Sequence, residues 1–416
     1  MMNVMTTKGI PVTMKMVTDA YVRVRANKGS SGVDAVTIAT FEKDVTKQLY
    51  KVWNRMTSGS YQPPEVRLVQ IPKSNGKLRD LGIPTVGDRV AQEVIKHYIE
   101  PRYEALFSTN SYGYRPNRNA HHAIERCQQK CRQYSWVIDL DIAAYFDNIN
   151  HEWLIRMLDL EVPEKWVKMY IMRWLTAPLK TSSGEIITRD KGTPQGGVIS
   201  PLLANIYLHY ALDLWLDKKY KNNPFERYAD DIIVHCTTKA EAEQLLKELR
   251  ERLAKFGLQL NETKTRIVYC KQNFRPKEEK GQELTFTFLG YDFNPRTSKN
   301  KSSGRKFVSY MAAIGKAAKK KIVTTLKQMK VLRGTERTIE EIAKVINPKV
   351  TGWINYYGKF NKFKMWDTLN QLNRRLIKWW KKKYKITSIY KAVEQLKALD
   401  KQNPNLFAHW KAGFKL

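Results

Sequence analysis

Apolar residues recur at helical spacing from about position 16 to position 104, with one interruption. Over 66–79 (VRLVQIPKSNGKLR) apolar and polar positions alternate, the chain turns at Asn75-Gly76, and the pattern continues into 81–84. This predicts a β-hairpin with lysine and arginine at its tip. Residues 135–142 (SWVIDLDI) alternate again and predict a strand, and 225–236 predicts two short strands around Ala229-Asp230-Asp231. Between them a long helix is expected, with Ser200 as N-cap, Pro201 in the first position and apolar residues through Leu216. A further helix over 239–256 gathers Ala242, Leu245, Leu246, Leu249, Leu253 and Phe256 on one stripe, which should cover a sheet. Polar, basic stretches at 271–280 and 294–305 mark a boundary, beyond which the chain reads as helical and strongly basic to its end.

Composition sharpens this pattern. A chain of 416 residues has room for two or three domains. Lys plus Arg total 73 against 40 Asp plus Glu, a net charge of +33, so a polyanion is the expected partner. No apolar run approaches the roughly 20 residues of a spanning helix, and residues 1–15 lack the apolar core of a secretion signal. A cytoplasmic protein without a membrane partner is expected. Cys127, Cys131, Cys236 and Cys270 are too scattered for a disulfide framework or a paired zinc site, and are expected to be reduced and structural.

Candidate chemistry begins with carboxylates. On a strand over 135–142, Asp139 and Asp141 share one face while Trp136, Ile138, Leu140 and Ile142 take the other. Burial without a partner would cost several kcal/mol, and divalent cations would neutralise such a pair. An exposed edge strand would carry the same residues in solvent, and this segment alone leaves both readings open. At the turn Tyr228-Ala229-Asp230-Asp231, neighbouring residues face opposite ways, so Asp230 is expected to face the metal with Asp231 in support. Hard oxygen ligands, with no histidine or cysteine inside either motif, favour magnesium over zinc.

In these segments the chain resembles reverse transcriptases: 141–149 (DIAAYFDNI) looks like their first palm motif, 192–201 (GTPQGGVISP) like the second, and Tyr228-Ala229-Asp230-Asp231 like the third. The resemblance implies an α+β right-hand polymerase fold, with fingers and an antiparallel palm sheet followed by an α-helical thumb. It also implies two Mg²⁺ ions, with Mn²⁺ as a substitute, held by Asp141, Asp230, Asp231 and the backbone carbonyl of Ile142. Phe146 matches the floor against which a deoxyribose packs, although an ordinary core ring would read the same way. By resemblance Gln195, beside Gly196, touches the incoming nucleotide or its templating base, and a plain tight turn is the alternative. Lys73 and Arg79 match positions that clamp the triphosphate, although hairpin charges are commonly just solvated. Lys264 falls where the family has a lysine that protonates departing pyrophosphate. Phe288-Leu289-Gly290-Tyr291 looks like the primer-grip hairpin.

Residues 28–34 (KGSSGVD), 71–89 (IPKSNGKLRDLGIPTVGDR), 111–118 (SYGYRPNR) and 348–360 (PKVTGWINYYGKF) resemble group II intron enzymes specifically. The implied division is 1–292 fingers and palm, 293–384 thumb or maturase domain, and 385–416 a short basic tail that is at most a DNA-binding remnant. Trp353, Tyr357 and Lys359 are expected to contact structured RNA, with a helical core as the other reading of the rings. Arg374, Arg375, Lys378, Lys381, Lys382 and Lys383 are expected to contact nucleic-acid backbone. After Tyr384 stands a single histidine, His409, and no cysteine, so no HNH-type endonuclease is expected. The resemblance implies an RNA-directed DNA polymerase of the bacterial cytoplasm or nucleoid, a monomer or dimer. It would take dNTPs, an RNA template with a DNA or RNA primer, target DNA and group II intron RNA, and act in splicing and retrohoming. A domesticated enzyme of defence or repair, or a non-catalytic RNA-binding maturase, would carry much of the same sequence.

Overall fold

In the computed structural model, which describes residues 9–72, 76, 78–272, 281–299 and 302–416, the Thr13 hydroxyl accepts from the Met16 amide and opens helix α1 (Met14–Ala26). The chain forms two units. The first comprises Met1–Asn119, Leu140–Val234 and Glu243–Thr265, and the second Ala120–Asp139, His235–Ala242 and Arg266–Leu416.

In the first unit, α2 (Ile38–Glu42) and α3 (Val45–Thr57) lead into the expected hairpin, β1 (Val66–Pro72) and β2 (Leu78–Ile83). Its register runs from Arg67↔Ile83 to Pro72↔Leu78, while most of its tip, Lys73 included, lies outside the described residues. Helix α4 (Val86–Leu106) follows. Next in chain order come α5 (Ala120–Gln133) and β3 (Trp136–Asp141), which belong to the second unit as far as Asp139, and then α6 (Tyr145–Asn148), α7 (His151–Asp159) and α8 (Lys165–Thr176) of the first. Two short strands, β4 (Leu179–Lys180) and β5 (Ile186–Ile187), join the hairpin in a sheet of order β2-β1-β4-β5.

The long helix expected after residue 200 departs from expectation in two ways. It divides into α9 (Ser200–Leu208), a π-helical turn (His209–Asp213) and α10 (Leu214–Lys219). Its N-cap is Ile199 and not Ser200. The Ser200 hydroxyl, buried, accepts instead from Thr193 Oγ1 at 2.8 Å, so the glycine-rich turn before the helix has taken the group that would have capped it.

Strands β6 (Phe225–Tyr228) and β7 (Asp231–Cys236) and helix α11 (Lys239–Ala254) follow as the pattern predicts, and β8 (Arg266–Tyr269) is a strand that it did not predict. With β3 the strands form a sheet of order β6-β7-β3-β8. In α11 the expected stripe is buried at Ala242, Leu245, Leu249 and Leu253.

In the second unit the polar stretch over 294–305 is no linker. Strands β9 (Phe286–Phe288), β10 (Tyr291–Lys299) and β11 (Lys306–Ile314) make an antiparallel sheet, with β10 and β11 paired from Tyr291↔Ile314 to Lys299↔Lys306. Only one end of this ribbon is apolar, because Phe286, Phe293 and Tyr310 stack there and are buried. The far end of β10, from Arg296 to Lys299, is polar on both faces, which is why it read as a boundary.

Helices α12 (Lys316–Gln328), α13 (Ile339–Tyr357), α14 (Trp366–Lys383), α15 (Ile389–Gln402) and α16 (Ala408–Lys411) complete the chain. They share one core, into which Ile342, Ile346, Leu369, Leu376 and Trp379 project. The segment after Tyr384, set apart in the sequence as a tail, closes that core, since Leu396, Phe407, Trp410 and Phe414 are all buried in it. No helix among the described residues is long and apolar enough to cross a membrane. All four cysteines are unbridged and buried.

A pH dependence follows from this core. Asn373 Oδ1 stands 2.7 Å from His409 Nε2 and 3.0 Å from Trp410 Nε1, so the ring nitrogen is its donor. Burial pushes His409 down to about 3. A histidine whose folded pKa lies below its unfolded value of about 6.5 favours the neutral form, so its contribution is complete above that pH and is lost as pH falls. Denaturant unfolding is expected to show His409→Gln losing roughly 2.5 kcal/mol less than wild type between pH 6.5 and 4.5. Equal losses in the two proteins would refute it.

Candidate active site

Asp141 ends β3 where the segment 259–265 pins the strand. Its carbonyl accepts from the Asn261 amide at 2.8 Å, and its amide donates to Thr265 Oγ1 at 3.3 Å. Ile142 forms a bridge with Leu260, and the Ala143 amide donates to the Gln259 carbonyl at 2.8 Å. The same segment delivers Lys264, whose ammonium lies 2.8 Å from Asp141 Oδ2. Asp139, on the same face, is paired with Arg266 at 3.1 Å.

Asp230 sits in the two-residue turn between β6 and β7, closed by the pair Tyr228↔Asp231. The turn places Ala229 at φ 56, a left-handed conformation that costs a non-glycine residue about 1–2 kcal/mol. Asp230 is half-buried while Asp231 is exposed. Burial raises the Asp230 carboxyl above the ordinary range and the Asp141 charge raises it further, while Arg79 and Lys264 pull it down. Residues from three separate stretches thus act on one carboxyl. Tyr114 also belongs here, since its ring lies 6.2 Å from that of Tyr228 and its hydroxyl is raised by burial and by the charges of Asp230 and Asp231. Two half-buried carboxylates that repel one another, with hard oxygen donors, fit divalent cations.

The strand predicted over 135–142 ends at Asp141, and Ala144 takes φ 45 before Tyr145 begins α6. Phe146 is half-buried beside Tyr145, with ring centroids 5.5 Å apart. Its carbonyl accepts from the Thr193 amide at 2.8 Å, and the Ile149 carbonyl accepts from the Gly192 amide at 2.7 Å, which staples the glycine-rich turn to this helix. Gln195 donates through Nε2 to Asp147 Oδ1 at 3.3 Å, and its carbonyl accepts from Gly82 at 2.8 Å. Gly196 stands at φ 120, and a Cβ there would lie 2.5 Å from the Gly82 carbonyl oxygen, so the position requires glycine. Behind this turn Gln92 accepts from the Val198 amide and donates to buried Asp88, whose carboxyl burial pushes up to about 6.

Three residues that the sequence reading missed lie under the Asp230 turn. Arg227 and Asp213 form an ion pair with both side chains fully buried, and Asn205 completes it. A signal was available: Arg227 interrupts an otherwise strand-like run, and Asp213 stands alone in the apolar run of the helix.

In the helical unit the expected nucleic-acid residues divide. Trp353 and Tyr357 are partly buried against the helical core, and the Tyr357 hydroxyl lies against Gly290, so these rings serve packing. Tyr356 Oη donates to the Leu289 carbonyl at 2.9 Å. The signature aromatics therefore buttress the turn Leu289-Gly290, which takes φ 51 and 79 between β9 and β10. Lys359 is exposed. On α14, Arg374, Arg375, Lys378, Lys381 and Lys382 line an open groove of about 830 Å³. Lys383 is turned away, donating to the carbonyls of Thr335, at 2.9 Å, and of Arg337.

Comparison with known proteins bears on this arrangement. Residues 71–293 match the family described as reverse transcriptase (RNA-dependent DNA polymerase), and residues 319–396 match the group II intron, maturase-specific domain. Protein YkfC of Escherichia coli strain K12 is 34% identical over 281 residues, covering 58% of this chain and 73% of that protein. The group II intron-encoded protein LtrA of Lactococcus lactis subsp. cremoris is 34% identical over 255 residues, covering 60% of this chain but 42% of LtrA. The putative COX1/OXI3 intron 1 protein of Saccharomyces cerevisiae is 24% identical over 66% of this chain and 38% of that protein.

Proposed function

The chain belongs to the reverse transcriptase (RNA-dependent DNA polymerase) family, with a group II intron maturase-specific region after it, and from that premise we propose that it copies RNA into DNA in the service of a group II intron. The observation that carries the reading is the placing of Asp141, at the end of β3 with Lys264 paired to it, and Asp230, in the turn between β6 and β7, in the one sheet of order β6-β7-β3-β8.

Polymerases of this family use divalent metals. Here Asp141 and Asp230, with Asp231 and the Ile142 carbonyl, would hold two Mg²⁺ ions or Mn²⁺ in their place. So held, such ions would supply activation of a primer 3′-hydroxyl and charge neutralisation for the triphosphate and its leaving pyrophosphate. The chain's own residues would do the rest. Arg79, and Lys73 six residues before it, would bind triphosphate oxygens. Lys264, already on Asp141, would supply a proton to the leaving group. Gln195 would exchange Asp147 for the nucleotide or its templating base. The α14 groove would take nucleic-acid backbone, consistent with the chain's net charge of +33. Intron RNA, an RNA template with a DNA or RNA primer, target DNA and dNTPs are the proposed partners, and the bacterial cytoplasm is the proposed location.

The test is primer extension on an RNA template with Mg²⁺, together with sequencing of the RNA that copurifies. Extension with a structured intron RNA bound supports the whole reading. Bound intron RNA without extension would leave a non-catalytic maturase. Extension with heterogeneous, unstructured RNA would remove the maturase role alone.

Phe146 gives a second test. If its ring excludes a ribose 2′-hydroxyl, Phe146→Ala is expected to lower the preference for dNTPs over rNTPs by about tenfold or more, read as the ratio of kcat/KM values. An unchanged ratio would return Phe146 to the core.

A further inference from the structure

The turn carrying Asp230 is held from behind by the buried pair of Arg227 and Asp213. The guanidinium donates through Nε and Nη2 to the two Asp213 oxygens at 2.8 and 2.6 Å, a bidentate fork. Its remaining terminal nitrogen, Nη1, donates to Asn205 Oδ1 at 2.9 Å and to the Ala229 carbonyl at 3.2 Å. Ala229 is the left-handed residue of the turn, in a conformation that alanine disfavours and that its surroundings must impose.

Those surroundings are visible. Arg227 also pairs through its backbone, donating to the Asn110 carbonyl at 2.9 Å and accepting from the Tyr112 amide at 2.8 Å. Gly113 follows, so close that a Cβ there would stand 2.5 Å from the Ala229 nitrogen, and its carbonyl accepts from Asn205 Nδ2 at 2.7 Å. Asp213 reaches Arg227 from the last position of the π-helical turn, an insertion of the kind often retained at functional sites.

Packing alone does not explain the pair. A fully buried ion pair rarely stabilises more than apolar residues of the same volume, and its better-attested role is to specify one geometry. We propose that Asp213, through Arg227, is a positioning residue for Asp230: the fork fixes the guanidinium, the guanidinium fixes the Ala229 carbonyl, and that peptide sets the direction in which the Asp230 carboxylate leaves the turn. The inference rests on the polymerase reading for its catalytic consequence, but its structural content is independent of that reading.

The variants are Asp213→Asn, which keeps shape and removes charge, and Arg227→Lys, which keeps charge and removes the fork. Each is expected to lower kcat at least about tenfold and to raise the Mg²⁺ concentration for half-maximal rate at least about threefold, with KM for dNTP within about twofold of wild type. Hydrogen exchange in the peptide 225–236 is expected to accelerate about tenfold while the helical unit keeps its protection. The exchanged pair Asp213→Arg with Arg227→Asp separates positioning from mere anchoring, because it restores two opposite charges but leaves the Ala229 carbonyl without a donor. Positioning predicts continued loss of rate, and recovery by the exchanged pair would overturn the proposal. So would folded Asp213→Asn protein with unchanged Mg²⁺ dependence and unchanged exchange. Should Asp213→Asn fail to fold, Asn205→Ala, which leaves the ion pair intact, carries the same prediction at several-fold. A wild-type protein that extends no primer would sink the polymerase reading alone, and the exchange measurement would still decide this one.

Discussion

Alanine in place of Asp141 or Asp230 is expected to reduce primer extension by about 10³-fold or more, a loss of roughly 4 kcal/mol of transition-state stabilisation. The two carboxylates come from different strands, yet the charge of one raises the carboxyl of the other. Removing either therefore removes half of one electrostatic site. The accompanying stability change has the opposite sign. Asp230 has a folded pKa raised by burial and by Asp141, so its ionised form is a cost that grows as pH rises from the ordinary carboxylate range through the raised value. At pH 7, Asp230→Asn is accordingly expected to match or exceed the wild-type Tm without metal, while losing the rise in Tm that Mg²⁺ or Mn²⁺ gives wild type. Melting curves with and without metal, beside cDNA yield, check both halves. A variant that keeps its yield, or melts well below wild type in chelator, would contradict the assignment.

Trp410→Ala is expected to be the most damaging single change to the helical unit, at about 3–5 kcal/mol. The indole is fully buried, lies 4.7 Å from the Phe407 ring and donates to Asn373. For a protein of this size the loss corresponds to a fall of roughly 5 °C in Tm. A change below about 2 °C would show that residues after Tyr384 are peripheral to the core. Only the structure reveals that they are not, because four anchors spread over a polar stretch make no periodic signal.

Other elements were legible for identifiable reasons. Period-two alternation exposed the hairpin of β1 and β2 and the strand that ends at Asp141, while strand-forming residues on either side of Ala229-Asp230-Asp231 exposed β6 and β7, which are buried on both faces. The 3.6-residue stripe of α11 was equally plain. What escaped depended on interactions distant in sequence. Ser200 looked like a cap until Thr193 took its hydroxyl. The π-helical turn leaves no mark in composition, since one additional residue in an apolar run shifts phase without changing character. The ring-rich segment 353–360 read equally well as a stacking platform or as core, and the Leu289-Gly290 turn that it supports decides much of that choice. Lys383 sat in a basic run, and only geometry shows it donating to backbone carbonyls.

The interleaving of the two units bears on how the gene can be divided. A polypeptide translated from residue 293 onward would hold the helices yet lack Ala120–Asp139, His235–Ala242 and the first residues of the stretch beginning at Arg266, which belong to the same unit. One such missing contact is the Gln128 side chain that accepts from the Ala312 amide. Neither unit is a cassette that can be excised, transplanted or secreted alone. Split-protein reporters and fusion partners should accordingly enter at exposed loops inside a unit, where the thread does not cross over.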